Sequence, residues 1–190
     1  MYEIRIHGRG GQGAVLAGGI LASALVLEGK FVVAVPSFGF ERRGAPVASY
    51  LRLDDREIRQ MTNIYNPDCI LCIDPTVARA VNIFDGVRDN AVLVQTSARP
   101  LEELKFSDHV ATAGLCDAVS IAPEVFRRPI TNTIMLGAFA RTTGLVTLES
   151  LRVAIRESEF RDAGLEQNLA ALERGFNSTK VYNMVKKAAA

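Results

Sequence analysis

A glycine-rich segment near the start of the chain constrains the fold more than any other feature. Residues 4–16 begin with an apolar run, pass through closely spaced glycines, and end in a helix-forming stretch. The central residues are Gly8-Arg9-Gly10-Gly11-Gln12-Gly13. Their spacing fits the G-x-G-x-x-G pattern of a strand–turn–helix unit, in which glycine permits sharp turns and leaves no Cβ to keep a ligand away. The segment therefore predicts a strand, a tight loop and a helix over about 13–28.

The predicted loop suits a phosphate or pyrophosphate group. The first N–H groups of a helix have no partner within the helix, and the positive end of the helix dipole points the same way. Glycine-rich turns also serve tight packing alone, so the spacing leaves both interpretations open.

The second predicted strand argues against an ordinary NAD site. Such a site uses an Asp or Glu about 20 residues after the loop to hold the ribose hydroxyls. Here the strand over 31–35 continues into Pro36-Ser37-Phe38-Gly39-Phe40, and Glu41 comes later. Arg42 and Arg43 follow directly. Two adjacent arginines predict an anion-binding loop, with Glu41 orienting one guanidinium. A solvated or interfacial salt-bridge loop is the alternative.

Size and charge exclude several classes of protein. A chain of 190 residues is suited to one domain, and a net charge of +1 without a long basic run argues against a nucleic-acid surface. The chain enters a strand within its first residues, and no apolar run reaches the roughly 20 residues that span a bilayer. We therefore expect a soluble, cytoplasmic protein. A mean hydropathy of +0.14 is slightly apolar, which indicates surface buried against partners.

The cysteines form no predicted metal or redox site. Cys69 and Cys72 make a C-x-x-C pair, but they lie in the apolar run 69–74, which predicts a buried strand. In a strand, positions i and i+3 face opposite sides of the sheet, so the two sulfur atoms diverge. Cys116 is the one other cysteine, too few for an iron–sulfur cluster. We predict core cysteines, with no metal bound to this chain.

Apolar runs alternate with helical periodicity along the chain. Strands are predicted near 2–7, 31–36, 46–53, 69–74, 91–96 and 110–115, and helices near 13–28, 75–82, 117–127, 131–143, 148–158 and 162–176. Continuous apolar strands indicate a parallel sheet covered on both faces. The predicted fold is α/β: a Rossmann-like, open, mostly parallel sheet flanked by helices, with an edge hairpin over 46–59 and C-terminal helices. Leucine stripes on the last two helices favour packing onto the sheet over a partner helix. Residues 1–190 form one predicted domain, with a tail or docking arm from about 177 to 190.

Catalytic side chains are scarce. His7, at the end of the first strand, lies beside the glycine loop, where a hydrogen-bonded packing role is favoured over a role in a site. His109 is the other histidine. No metal-ligand cluster, nucleophile elbow or Walker lysine is visible in the sequence, so no catalytic residue is assigned.

Taken together, the two loops resemble a known family. The glycine loop, followed by Phe38-Gly39-Phe40-Glu41-Arg42-Arg43-Gly44-Ala45-Pro46-Val47, closely resembles the gamma subunit, or gamma domain, of 2-oxoacid:acceptor oxidoreductases. The resemblance continues through Asp74-Pro75-Thr76 and through 128–139, which is similar to that family's "PIxNTxMLGAF" helix. It covers nearly the whole chain.

The resemblance implies a multi-subunit enzyme in which this chain is not active alone. In that family, thiamine diphosphate with Mg, bound between alpha and beta subunits, decarboxylates a 2-oxoacid. Electrons leave through iron–sulfur clusters, with a ferredoxin-like delta subunit and, where NAD is the acceptor, a flavin subunit. The acyl group passes to coenzyme A, which the gamma subunit is expected to anchor. The substrate is pyruvate-like, branched or aryl. The amino-acid sequence of 37–43 and 128–144 most resembles the phenylglyoxylate type.

Site residues follow from the resemblance together with the loop chemistry. Cofactor-binding residues are expected at Gly8, Arg9, Gly10, Gly11, Gln12, Gly13, Phe38, Glu41, Arg42, Arg43 and Asn132. The arginines contact either coenzyme A phosphates or a partner subunit, and Asn132 either caps its helix or faces the ligand. Two alternatives stay open: a scaffold subunit without a ligand, and a stand-alone nucleotide-binding Rossmann-type oxidoreductase.

Overall fold

The computed structural model describes residues 1–36, 44–158 and 164–184, and within them seven strands join in one sheet. The strands are β1 (Tyr2–Arg9), β2 (Phe31–Pro36), β3 (Pro46–Asp54), β4 (Cys69–Cys72), β5 (Ala91–Thr96), β6 (Val110–Cys116) and β7 (Lys180–Asn183). Their order across the sheet is β2-β3-β1-β4-β5-β6-β7. Strands β1, β4, β5 and β6 are neighbours and run parallel to one another. Strand β3 runs antiparallel to β1, and β7 runs antiparallel to β6. The predicted α/β class with a mostly parallel sheet is confirmed.

Five α-helices lie in the described part of the chain. They are α1 (Ala14–Leu27), α2 (Ala118–Phe126), α3 (Asn132–Thr143), α4 (Leu148–Arg156) and α5 (Leu165–Ser178). Each corresponds to a predicted helix to within a few residues. Among the described helices, none is both long enough and apolar enough to cross a membrane.

The predicted hairpin over 46–59 is wrong in its second half. Strand β3 pairs with β1 on one side and with β2 on the other, so β2 and β3 form the hairpin at this edge. Residues 56–59 are not a strand. The cause is Arg52, a buried side chain whose guanidinium donates to the carbonyl oxygens of Thr62 at 2.6 Å and Asn63 at 3.3 Å. These carbonyl groups accept hydrogen bonds from Arg52 and not from the backbone of a neighbouring strand.

A second buried arginine anchors irregular chain on the same part of the sheet. Arg5, in β1, donates to the carbonyl oxygens of Ile83 at 2.9 Å and Asp85 at 2.7 Å, and approaches those of Ile64 and Tyr65 at 3.5 Å. Arg5 and Arg52 therefore hold two loop segments against the sheet through main-chain carbonyl groups, and Arg52 also forms an ion pair with Glu3 at 2.8 Å.

The predicted helix over 75–82 is reduced to a single 3-10 turn, Val77–Arg79. Polar side chains at both ends bond nearby backbone: Asp74 accepts from the Thr76 N–H at 2.7 Å, and Asn82 accepts from the Phe84 N–H at 3.1 Å. Such local bonds compete with helix formation. A second 3-10 turn, Leu101–Glu103, lies after β5.

Two apolar clusters cover opposite faces of the sheet. The larger contains Cys69, Leu71 and the buried sides of α1 and α3, and the smaller contains Ile70 and Cys72. The two sulfur atoms therefore point to opposite faces, as predicted, and both cysteines are fully buried and free. Burial raises the pKa of the Cys69 thiol, and it raises that of Cys72 to about 12. These are core cysteines.

The C-terminal helices cover other helices rather than the sheet. Leu151 and Ile155 of α4 and Leu172 of α5 are buried as the stripes predict, whereas Leu165, the first residue of α5, is exposed. However, α4 packs on α1 and α5 packs on α3, so the stripes form an outer layer over these two helices.

The predicted tail is wrong for residues 177–184. Helix α5 runs to Ser178, and β7 then adds an antiparallel strand beside β6, with Val181 opposite Gly114. Thr179 links the two elements, because its hydroxyl donates to the Gly175 carbonyl oxygen at 2.6 Å. Residues 185–190 lie outside the described residues.

Candidate functional site

The glycine loop lies at the edge of the sheet where the parallel strands end, the usual ligand edge of open α/β sheets. Gly11 and Gly13 have φ values of 86° and 78°, which L side chains rarely adopt. Gly8 differs, because it lies within β1 and a Cβ there would be 2.9 Å from Ile73 Cγ1. The loop thus needs two glycines for its turns and a third for close packing.

Helix α1 begins directly above this loop. Gly13 is its N-cap residue, and the Ala17 N–H donates to the Gly13 carbonyl oxygen at 2.8 Å. The three preceding helical N–H groups, of residues 14–16, have no acceptor within the helix. They point toward the loop together with the positive end of the dipole, which is the geometry that binds phosphate oxygens.

Arg9 ties the loop to its surroundings. Its guanidinium donates to the Thr76 hydroxyl at 2.7 Å and to the Gly44 carbonyl oxygen at 2.8 Å, and its Nε lies 3.7 Å from the Asp74 carboxylate. Arg9, the last residue of β1, therefore joins the turn that follows β4 to Gly44, two residues before β3. The structure shows this side chain positioning the loop; a contact with a ligand stays a prediction.

Gln12 and Asp74 complete the network. The Gln12 side chain accepts from the Arg9 N–H at 3.0 Å and donates to the Asp74 carboxylate. Burial opposes ionisation of Asp74, but hydrogen bonds from Thr76 and Gln12 and the charge of Arg9 outweigh it, so the pKa of this carboxyl lies below its ordinary value. An ionised Asp74 thus holds the loop in shape at neutral pH.

The role of Asp74 and Thr76 was missed from the sequence. In the sequence, Asp74-Pro75-Thr76 carries only the family resemblance, because an aspartate after a buried strand gives no local sign of its partner. The available signal was the turn-forming Asp-Pro pair at the end of a strand parallel to β1.

Two predicted site residues from distant parts of the chain meet at the N-terminus of α1. An added Cβ at Gly13 would overlap Nδ2 of Asn132, the first residue of α3. Asn132 is buried, and its Oδ1 accepts from the Thr133 N–H at 2.9 Å. It is the first residue of the helix and not its cap, and a contact with a ligand stays a prediction. The N-cap position itself belongs to Thr131, whose hydroxyl donates to the Ile73 carbonyl oxygen at 2.8 Å.

Of the arginine loop, the structure describes only the flanking residues, which begin again at Gly44. Phe38, Glu41, Arg42 and Arg43 lie outside the described residues. Gly44, the next residue, donates its N–H to the Gly10 carbonyl oxygen at 3.0 Å, and Gly10 in turn donates to the Ala45 carbonyl oxygen at 2.9 Å. The residue that follows the arginines is therefore bonded directly to the glycine loop.

His7 is a packing residue, as the sequence favoured. It is buried in β1, and its Nε2 accepts a hydrogen bond from Arg5 Nε at 3.0 Å. Burial, assisted by the charge of Arg5, lowers the pKa of His7 to about 4. The imidazole is therefore neutral at physiological pH and serves as an acceptor for the buried guanidinium.

His7 should make the folded chain sensitive to mild acid. Between about pH 6.5 and the folded-state pKa of about 4, the unfolded chain binds a proton that the folded chain does not. The free energy of unfolding should therefore fall on acidification, by about 3 kcal/mol across this window. His7→Gln retains an acceptor for Arg5 and should flatten this slope in urea unfolding at a series of pH values. An unchanged slope would contradict the assignment.

The described residues contain no group of three or more His, Cys, Asp or Glu side chains placed to hold a metal ion.

Comparison with known proteins identifies the family. A family model described as pyruvate ferredoxin/flavodoxin oxidoreductase matches residues 3–178. The gamma subunit of NADH-dependent phenylglyoxylate dehydrogenase from Aromatoleum evansii is 62% identical over 190 residues, covering 100% of both chains. The common gamma subunit of the pyruvate/ketoisovalerate oxidoreductases of Thermococcus kodakarensis is 47% identical, covering 97% of this chain and 100% of that one.

A solved structure agrees with these sequences. Pyruvate oxidoreductase subunit PORC from Thermotoga maritima matches with a TM-score of 0.81 at 34% identity, covering 95% of this chain and 97% of that one. The family resemblance drawn from the two loops is confirmed. This chain belongs to the pyruvate ferredoxin/flavodoxin oxidoreductase family, as a gamma subunit of a multi-subunit 2-oxoacid oxidoreductase.

Proposed function

We propose that this gamma subunit anchors coenzyme A for a cytoplasmic complex that oxidatively decarboxylates a 2-oxoacid to an acyl-CoA. Alpha and beta subunits would carry thiamine diphosphate and Mg, and a ferredoxin-like delta subunit would carry iron–sulfur clusters. This chain would contribute the coenzyme A site and help to assemble the complex.

The observation that carries the proposal is the fixed glycine loop beneath the N-terminus of α1. Coenzyme A has a pyrophosphate and a 3′-phosphate, which need backbone N–H groups and cationic side chains. The first turn of α1 supplies N–H groups, with Gly11 and Gly13 leaving room for close approach. Arg42 and Arg43 precede Gly44, which is bonded to Gly10, so they are candidates for further phosphate groups.

The substrate we propose is an aryl 2-oxoacid. The phenylglyoxylate dehydrogenase subunit is 62% identical, against 47% for the pyruvate/ketoisovalerate subunit, and both cover nearly all of this chain. Phenylglyoxylate is therefore the first substrate to test. NAD, reduced through a flavin subunit, is the first acceptor to test, because the phenylglyoxylate dehydrogenase is NADH-dependent.

The arginine pair provides the test. In a complex purified through a tag on this chain, Arg42→Ala with Arg43→Ala should raise the KM for coenzyme A by at least about tenfold, because two charge-assisted contacts are lost. Decarboxylation measured without coenzyme A should stay nearly intact, since it takes place in the partner subunits. Steady-state kinetics with a varied coenzyme A concentration measures both.

A matched control removes the same charge elsewhere. Arg56→Ala with Arg59→Ala alters two exposed arginines beyond the end of β3, at the opposite edge of the sheet. This variant should keep the wild-type KM. If the Arg42/Arg43 variant also keeps it while the subunits still co-purify, the arginines do not bind coenzyme A. A complex with no measurable affinity for coenzyme A would indicate a scaffold subunit instead.

A further inference from the structure

A cleft of about 770 Å³ lies at the carboxyl ends of β4, β5 and β6, on the same edge as the glycine loop. Gln95 and Thr96, the last two residues of β5, line it, together with Phe84, Phe106 and Val119. No residue of the glycine loop, 8–13, is among its lining residues. The cleft is therefore separate from the site proposed for coenzyme A, although Pro75 connects the two regions through the Asp74–Thr76 turn.

Thr96 is the informative residue of this cleft. Its side chain is 0% exposed, yet Oγ1 is the buried side-chain polar atom that has no hydrogen-bond partner within the described residues. Buried hydroxyl groups are normally paired, because an unpaired one loses its hydration without compensation. Thr96 is among the lining residues of the cleft, so a ligand whose polar group reaches this hydroxyl would supply the missing partner.

The charges of the cleft define the chemistry of such a ligand. Arg79, Arg99 and Lys105 line it, and none of them forms an ion pair with another described residue. The lining also contains two acidic residues, Glu103 and Asp117, and Asp117 is engaged as the N-cap of α2, accepting from the Ser120 N–H at 3.2 Å. With three cations against two carboxylates, the lining favours an anionic group, and guanidinium side chains pair well with phosphate.

The apolar part of the lining indicates what the uncharged part of the ligand would be. Phe84 and Phe106 are both partly buried and are packed against the smaller apolar cluster of the sheet. Flat aromatic side chains bind flat aromatic groups by stacking. We propose that the cleft is a second ligand site on this subunit, which takes a mononucleotide through a base against the phenylalanines and a phosphate on the arginines and lysine.

Adenosine 5′-monophosphate is the probe for calorimetric titration of the full 190-residue chain. Saturable binding at one site is expected. Arg79→Ala with Arg99→Ala should weaken it by at least about tenfold, whereas Arg56→Ala, at the opposite edge of the sheet, should leave it unchanged. Inorganic phosphate should bind more weakly than the nucleotide, because it lacks the base; equal affinity would overturn the mononucleotide assignment.

Thr96→Val should raise the stability of the free chain and lower its affinity for the nucleotide. Valine has the shape of threonine without the hydroxyl, so the free chain should gain about 2–4 °C in Tm when the unpaired group is removed. The same variant should bind the nucleotide about fivefold more weakly. An unchanged affinity would contradict the role of Thr96.

Failure of this proposal is distinguishable from failure of the coenzyme A proposal. A Gly13→Ala chain, altered in the glycine loop, should keep nucleotide affinity. If that variant loses the nucleotide while the cleft variants retain it, the nucleotide occupies the glycine loop and the second site does not exist. Absence of saturable binding in the wild-type chain also overturns the second site, and a separate titration with coenzyme A tests the glycine loop in either case.

Discussion

Gly13→Ala is expected to weaken coenzyme A binding by at least about tenfold while the chain stays folded. Alanine in the left-handed conformation at φ 78° costs about 1–2 kcal/mol. The new Cβ would also overlap Nδ2 of the buried Asn132, so either this side chain or the first turn of α1 must shift. Because the proposed phosphate site consists of that turn, the strain falls on the N–H groups that would bind the ligand. Calorimetric titration with coenzyme A measures the loss, and circular dichroism confirms the fold.

Gly19→Ala is the matched control within the same helix. No atom lies within 4 Å of a Cβ added at Gly19, and its φ is not positive. The substitution should leave coenzyme A affinity unchanged and stabilise α1 by about 1 kcal/mol, because alanine is the better helix former. A Gly13→Ala chain that binds coenzyme A as tightly as the wild type would show that the ligand does not depend on the glycine loop.

Gly175→Ala is expected to cause the largest loss of stability. Helices α3 and α5 approach so closely that a Cβ at Gly175 would overlap the Ile134 carbonyl oxygen. Main-chain atoms cannot turn aside as a side chain can, so the helices must separate across a fully buried contact. We expect about 3 kcal/mol of destabilisation, or about 10 °C in Tm by calorimetry, despite the better helix propensity of alanine.

A reciprocal substitution tests the cause. Gly137 lies on α3, and a Cβ there would overlap the Leu172 carbonyl oxygen of α5. Since one separation of the helices relieves both overlaps, the double variant should cost clearly less than the sum of the single variants. Additive losses, or a Gly175→Ala chain as stable as the Gly19→Ala control, would contradict close backbone packing as the reason for these glycines.

Periodicity predicted the elements whose burial follows a simple repeat. The continuous apolar strands and the five helices were found close to their expected positions, and Cys69 and Cys72 face opposite sides of the sheet because strand geometry requires it. Strand β7 was missed because its residues are mostly exposed, and only pairing with β6 makes it a strand. The sequence 56–59 predicts a return strand, but the buried Arg52 directs the following segment elsewhere.

The candidate site was predictable in position and not in detail. The glycine spacing indicated a turn under a helix, and the structure has one. Which glycine serves the turn and which serves packing depends on neighbours such as Ile73 and Asn132, more than 60 residues away in sequence for each. The network of Arg9 with Asp74 and Thr76 is likewise long-range, so no local pattern marks it.

Arg5 and Arg52 anchor their loops in a way that bears on how the sequence can vary. Both guanidinium groups hold the segments 60–65 and 83–85 through carbonyl oxygens. Every residue type carries the same carbonyl group, so the exposed residues of these loops can be exchanged without loss of the anchor. The two arginines cannot be exchanged in the same way, even for lysine. A lysine side chain lacks the planar group of donors that reaches several oxygen atoms at once. This side of the subunit thus combines freely variable loops with two side chains that must stay arginine.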